Sequence, residues 1–166
     1  MLIILTGPPG AGKSTVGNIL AYKFQRSVNF SLDDLRDFVK AGYVAPWNDT
    51  DEEGQCVLAT DISIDMIKRY LAKNFVVIID HVFDDADVTK YREYFDNVHA
   101  FLLLPTLDEL HDRDAQRPPE RQLGKRVDEV FADLTGEKHI LFTMIDSTNQ
   151  SPEETSEVIF KQLTTS

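Results

Sequence analysis

Several features are scarce in this sequence, and each absence argues against a class of protein. Cys56 is the single cysteine among 166 residues, so neither an intramolecular disulfide nor a cysteine-rich metal site is expected. The longest apolar runs in the body of the chain, 75–79 and 100–104, are far shorter than the roughly 20 residues of a membrane-spanning helix. The amino terminus lacks the basic stretch of a signal peptide. We therefore expect a cytoplasmic protein with no membrane partner.

Basic residues are also few compared with acidic ones. The chain has 17 lysines and arginines against 28 aspartates and glutamates, for a formal net charge of −11. A field of that sign repels polyanions, so nucleic acid is not an expected partner, whereas a small nucleotide needs only a local cluster of positive charge. The length and the absence of repeats or linkers predict one domain, residues 1–166, which is compatible with a monomer or a homodimer.

Five short apolar runs alternate with segments of helical spacing. The runs are 2–5, 27–30, 75–79, 98–104 and 140–145. Most of them do not alternate apolar with polar residues, which is typical of strands buried on both faces of a parallel sheet. The pattern predicts a doubly wound α/β fold, whose ligands bind at the carboxyl ends of the strands.

The first strand leads into a complete phosphate-loop motif, G-x-x-x-x-G-K-[ST]. Its glycines let backbone N–H groups turn toward phosphates, and the helix that follows points its positive end at the anion. A lysine at this position reaches the β and γ phosphates, and the serine hydroxyl is a ligand for Mg²⁺. The motif predicts that ATP and Mg²⁺ bind here. The predicted nucleotide-binding residues of this segment are Gly7, Pro8, Pro9, Gly10, Ala11, Gly12, Lys13, Ser14 and Thr15.

Two aspartates follow the second strand, and Ser31 before them is a good helix N-cap, which would place Asp33 and Asp34 in a first helical turn. A carboxylate at this edge of the sheet can accept the proton of a hydroxyl that attacks the γ-phosphate. Acidic residues are also favoured in a first turn by the helix dipole. Each of the two aspartates can serve one of these purposes.

Asp80 ends the third strand, where an acid commonly binds Mg²⁺ directly or through water. Ser14 and Asp80 are therefore the predicted metal ligands. His81 follows, and a lone histidine is more often a hydrogen-bonded structural residue than a functional one.

Basic residues cluster within 14 positions of this acidic chain. Arg113 and Arg117 share a helix face, and Pro118 and Pro119 end that helix. A helix-loop-helix over approximately 111–128 suits a lid that closes on the transferring phosphoryl group. A solvated surface helix paired with nearby acids is the alternative. The cluster consists of Arg113, Arg117, Arg121, Lys125 and Arg126.

Aromatic residues lie between the second and third strands, at Phe38, Tyr43 and Trp47. They either line an apolar acceptor pocket or pack in the core. Because no basic cluster is evident in this stretch, a phosphorylated acceptor is disfavoured.

With these motifs together, the chain resembles the small P-loop phosphotransferases grouped around chloramphenicol phosphotransferase. Gluconate-kinase-like proteins, shikimate kinases and tunicamycin-resistance ATPases are more distant relatives. The segment 30–35 looks like the one that carries the catalytic-base aspartate of that family, which maps onto Asp33. Segment 78–83 is similar to an Ile-Asp-Asp-Val-Phe run, with His81 in place of the second acid. Segment 146–154 is similar to the adenine-side loop and last helix.

The resemblance implies a three-layer α/β/α fold with a five-stranded parallel sheet in the order 2-3-1-4-5 and a small lid. It also implies a kinase that transfers the γ-phosphate of ATP to a hydroxyl of a small molecule, such as an antibiotic or a sugar acid. In that function Lys13, Asp33, Arg117 and Arg121 are the expected catalytic residues, and Arg113 contacts the nucleotide. A nucleoside or nucleotide kinase, and an ATP-binding switch that phosphorylates nothing, are the alternatives.

Overall fold

The computed structural model of the chain describes residues 1–48, 54–119, 122–136 and 139–165. Arg121, one of the predicted catalytic residues, lies outside the described residues, as does the acidic run at 49–53. The side chain of Trp47 is likewise outside the description.

Within these residues, five strands form one sheet in which every neighbouring pair is parallel. The strands are β1 (Leu2–Thr6), β2 (Ser27–Ser31), β3 (Val76–Asp80), β4 (Val98–Leu103) and β5 (Thr143–Ile145). Their order is β2-β3-β1-β4-β5, which confirms the predicted order. All five residues of β1 are buried, because this central strand has a neighbouring strand on each side and helices on both faces.

The helices of the described part come between the strands and at the end. They are α1 (Lys13–Ala21), α2 (Leu32–Asp37), α3 (Gln55–Leu71), α4 (Asp85–Tyr94), α5 (Leu107–Ala115), α6 (Lys125–Gly136) and α7 (Pro152–Thr165), with one 3₁₀ turn at Pro46–Asn48. A search of the described residues finds no helix with the length and apolar character needed to span a membrane.

Successive side chains of the central strand enter two different cores, as the pleat requires. Leu2 and Ile4 pack with residues of α3 and α4. Ile3 and Leu5 pack with residues of α1 and α7 on the other face. The sheet therefore lies between two helical layers, which confirms the predicted three-layer α/β/α architecture.

The last strand is shorter than the apolar run that predicted it. The run covers 140–145, but β5 begins at Thr143. The amides of Ile140 and Leu141 instead donate to the carboxylate of Asp85, at 3.1 and 3.4 Å. Because this backbone is bonded to the start of α4, it does not continue the ladder with β4.

Candidate active site

The phosphate loop is held in shape by glycines at two tight positions. A Cβ on Gly7 would lie 2.3 Å from the carbonyl oxygen of Leu103, so no side chain fits where the loop crosses the end of β4. Gly12 has a φ of +88° and is the N-cap of α1, a conformation that glycine adopts at little cost. No side chain caps α1, and its first turn has no acid, so its positive end is not neutralised locally.

Lys13 lies inside this loop. Its ammonium donates to the carbonyl oxygens of Gly7 and Pro8, at 2.8 and 3.2 Å. Burial lowers the pKa of Lys13 to about 8, and the carboxylates of Asp80 and Asp33 oppose that shift. Among the described residues the hydrogen bonds of Lys13 go to carbonyl oxygens alone, so its positive charge is available to a polyanion, whose charge would raise its pKa again.

Asp80 ends β3 and is 2% exposed. Its Oδ1 accepts a hydrogen bond from the hydroxyl of Ser14 at 2.9 Å, while its buried Oδ2 has no hydrogen-bond partner among the described residues. Burial raises the pKa of Asp80, against the effects of Ser14 and Lys13. An unsatisfied buried carboxylate oxygen beside a hydroxyl fits an oxygen-seeking cation such as Mg²⁺.

These two residues do not form a complete metal site by themselves. The described part of the chain contains no group of three or more histidine, cysteine, aspartate or glutamate residues that could hold a metal ion. Mg²⁺ characteristically keeps several waters and binds through one or two protein ligands together with substrate phosphates. Ser14 and Asp80 are consistent with that arrangement.

The two aspartates of α2 have different surroundings. Asp34 completes a capping box, because its side chain accepts from the amide of Ser31 at 3.3 Å. Asp33 instead directs its carboxylate toward the end of β3, where its Oδ1 lies 3.3 Å from Nδ1 of His81. The pKa of Asp33 is lowered, chiefly by His81 and further by Lys13 and Arg36, with burial opposing. The helix-capping role therefore falls to Asp34, and Asp33 faces the site.

Arg113 in α5 and Arg117 just after it reach the phosphate loop from the other side. Arg113 donates to Glu109 at 2.7 Å and to the carbonyl oxygens of Gly10 and Ser147 at 3.4 and 3.3 Å, so it bridges α5, the loop and the segment after β5. Arg117 lies close enough to Lys13 to lower the pKa of that lysine.

Two cavities with shared walls run along the phosphate loop. One, of about 320 Å³, is lined by nine of the predicted residues: Pro9, Gly10, Gly12, Lys13, Ser14, Thr15, Asp33, Asp80 and Arg117. The other, of about 340 Å³, is lined by Thr15, Arg113, Ser147 and Gln150 among others. Of the predicted residues in the described part, all but Gly7 and Pro8 line one or both of these cavities.

A third cavity, of about 280 Å³, lies between α2, α3 and α4 and shares Val82 with the first of these cavities. Its basic side chains, Arg36 and Lys90, were not predicted from the sequence. Arg36 is 2% exposed, and its guanidinium donates to the carbonyl oxygen of Val44 at 2.6 Å and to the sulfur of Cys56. The spacing of Arg36 from Asp33, one turn along a helix, is the signal that would have found it.

Two of the aromatic residues predicted for an acceptor pocket, Phe38 and Tyr43, are not among the described residues that line this cavity. Phe38 is 74% exposed and Tyr43 is 48% exposed. These two rings are therefore not core residues, and their place in an acceptor pocket stays a prediction. Asp87, His81 and Thr60 supply polar walls to the cavity instead.

Comparisons with solved structures place this arrangement in a known fold. A sugar kinase from Janibacter sp. HTCC2649 aligns with a TM-score of 0.75 at 16% identity, over 98% of this chain and 94% of that one. The tunicamycin resistance protein of Deinococcus radiodurans gives 0.68 at 19% identity, with 98% and 94% covered. Thymidylate kinase from Candida albicans gives 0.63 at 15% identity, with 99% and 91% covered.

At such identities the structural likeness establishes the fold, which is that of the P-loop kinases, and it confirms the resemblance drawn from the motifs at that level. No curated protein matches the sequence significantly. The profile of the AAA domain family matches residues 3–132, which include the phosphate loop, Asp33, Asp80, Arg113 and Arg117. The chain therefore belongs to the AAA domain family.

Proposed function

We propose that the protein is an ATP-dependent kinase that transfers the γ-phosphate to a hydroxyl of a small molecule. One observation carries the proposal: the carboxylate of Asp33 lines the cavity of the phosphate loop and lies 3.3 Å from His81, which lines the cavity at α2–α3. A base at this boundary has the phosphoryl donor on one side and room for an acceptor on the other. Neither an ATPase nor a binding switch needs a second cavity there.

In this mechanism the loop amides and Lys13 bind the phosphates, and Arg113 lies beside the cavity that would take the nucleoside. Ser14 and Asp80 would hold Mg²⁺, which neutralises charge on the phosphate oxygens when bound. Asp33 accepts the proton of the acceptor hydroxyl. The acceptor oxygen bonds to the γ-phosphorus as the bond between the γ-phosphorus and the β–γ bridging oxygen breaks, and ADP leaves. Arg117 stabilises the charge on the transferring group. Arg121 has the same proposed role from sequence alone.

A lid over approximately 111–128 is part of the proposal. Asp114, which is 5% exposed, accepts from the amides of Leu123 and Gly124 at 3.0 and 2.9 Å. It thereby ties the end of α5 to the start of α6. The loop that carries Arg117 is held at both ends, as a segment that moves as one unit requires.

The test is transfer of label from γ-labelled ATP, with Mg²⁺, to a panel of sugar acids, polyols, hydroxyl-bearing antibiotics, nucleosides and nucleoside monophosphates. Product detected by mass spectrometry in a sugar, polyol or antibiotic class supports the proposal. Product only with nucleosides or their monophosphates would favour the nucleotide-kinase alternative. Tight binding of ATP with no transfer to any class would favour a switch.

A further inference from the structure

His81 is held at the point where the two cavities meet. Its backbone amide donates to the carbonyl oxygen of Leu5 at 3.3 Å, so the chain is still bonded to the sheet beyond the end of β3. Its ring stands edge-on to Phe83, with centroids 5.6 Å apart. Phe83 is 2% exposed and exchanges two hydrogen bonds with Thr6, of 2.8 and 3.0 Å. The imidazole therefore packs against a buried ring, and its side chain is 22% exposed.

The carboxylate of Asp33 is far less constrained. Its side chain is 60% exposed, and its backbone is fixed by the cap of Ser31, which does not restrain rotation of the carboxylate. Such a terminal torsion is broad for aspartate. Across the residues that the structure describes, His81 is the one basic side chain within 4 Å of this carboxylate.

The geometry assigns His81 as a positioning residue that turns Oδ1 of Asp33 toward its ring, so that Oδ2 is presented to the acceptor hydroxyl. This inference rests on the proposed kinase function. A carboxylate can only accept, so Nδ1 of His81 carries the hydrogen in this pair. At 3.3 Å the pair is not aligned as a full hydrogen bond, and catalytic contacts of this kind commonly tighten when substrates bind.

If His81 has only a structural role, the packing of its ring is what matters. If it positions Asp33, the hydrogen on Nδ1 is what matters. The two roles therefore predict opposite effects for variants that keep one of these features and lose the other. His81→Phe keeps a ring against Phe83 and removes the donor. His81→Asn loses the ring and keeps an N–H donor bonded to Cγ, at the position of Nδ1. Comparing kcat of the two variants separates the two roles. Melting curves show whether either variant is less stable, so that a loss of rate caused by unfolding is recognised.

The experiment measures kcat and KM with γ-labelled ATP, Mg²⁺ and the acceptor panel pooled at equal concentrations. For His81→Phe we expect kcat to fall about tenfold, within the effect of a small misplacement of a catalytic group, with KM for ATP unchanged. His81→Asn should retain most of the parental kcat. In an Asp33→Asn background, His81→Phe should have no further effect.

Other outcomes overturn the assignment in distinguishable ways. A parental rate in His81→Phe, or a loss in His81→Asn as large as in His81→Phe, removes the positioning role and leaves the kinase intact. If His81→Phe lowers kcat by the same factor in the parent and in the Asp33→Asn background, the two residues act independently. Absence of label transfer by the parent enzyme, or a parental rate in Asp33→Asn, overturns the proposed function and the positioning role with it.

Discussion

In the half of the site proposed for the nucleotide, the groups that face the phosphates come mainly from one continuous segment, 7–15, fixed by glycine geometry and by the start of α1. The acceptor half instead draws its walls from α2, α3, the end of β3 and the start of α4. A site built from contiguous backbone survives most changes in its surroundings. A site built from side chains of several elements changes whenever any one of them changes, and this is the physical basis for one fold having many acceptors.

The largest effect is expected from Lys13→Ala, which attacks the contiguous half. The variant loses a charge-assisted contact in binding, worth about 1.5–3 kcal/mol, and a preorganised donor worth about 10²–10³ in rate. We expect kcat/KM for Mg-ATP to fall by about 10³–10⁵-fold on combining the two. Calorimetry measures the loss of ATP affinity, and label transfer measures the loss of rate. If Lys13→Ala binds and turns over Mg-ATP as the parent does, the proposed role of the loop is contradicted.

The boundary between the halves is tested by Asp33→Asn. Asparagine keeps the shape and removes the proton acceptor, so transfer should fall by about 10²–10⁴-fold while ATP affinity stays near that of the parent. Asp34→Asn is the matched control, because Asp34 caps α2 and does not line the cavity. Melting curves correct both variants for lost dipole interactions of about 0.3–1 kcal/mol. Equal rates in the two variants, at equal stability, would remove Asp33 from the mechanism.

A smaller effect is expected on the lid side. Arg117→Ala should slow bound-state transfer by about 10–10²-fold, the equivalent of one hydrogen bond to a charged group, with little loss of ATP affinity. Arg126→Ala is the control, since Arg126 pairs with Glu129 at 2.9 Å and does not line the phosphate cavity. Single-turnover rates at saturating ATP measure the difference. A loss of affinity alone would indicate simple attraction of charge.

The smallest expected effect is on the stability of the Asp80→Asn variant. It tests the energetic cost of burying this carboxylate, separately from the proposed role of Asp80 as a metal ligand. The native pKa of this carboxyl is raised by burial, so the native state retains its proton at pH values where the unfolded chain has already lost it. Parental stability therefore falls, relative to Asp80→Asn, as the pH rises from the ordinary aspartate pKa through the raised native one. Below that window the advantage of Asp80→Asn disappears.

Near neutral pH, without nucleotide, we expect Asp80→Asn to melt about 2–4 °C higher, equivalent to about 1 kcal/mol in a domain of this size. The same variant should lose its Mg²⁺-dependent turnover. Thermal scans of both proteins across the acid range measure the trend, and a stability difference that does not change with pH would show that burial of this charge has no net cost.

Much of this protein follows from local sequence. Continuous apolar runs separated by helical segments predicted the parallel sheet, because strands buried on both faces have no polar side to alternate with. Lys13 and Ser14 were predicted because a phosphate loop is made of neighbours in the chain. Asp33 and Asp80 were predicted as strand-end acids, since parallel strands end at one edge.

Tertiary structure decided what depends on contacts between distant segments. Only the pairing of β2 with β3 sets His81 beside Asp33, and only the packing of α2 on α3 buries Arg36 against Cys56. Likewise, β5 begins only at Thr143, where the amide of Ile140 before it donates to Asp85, 55 residues away in α4. In each case the deciding partner lies in another element, so no local pattern could carry the information.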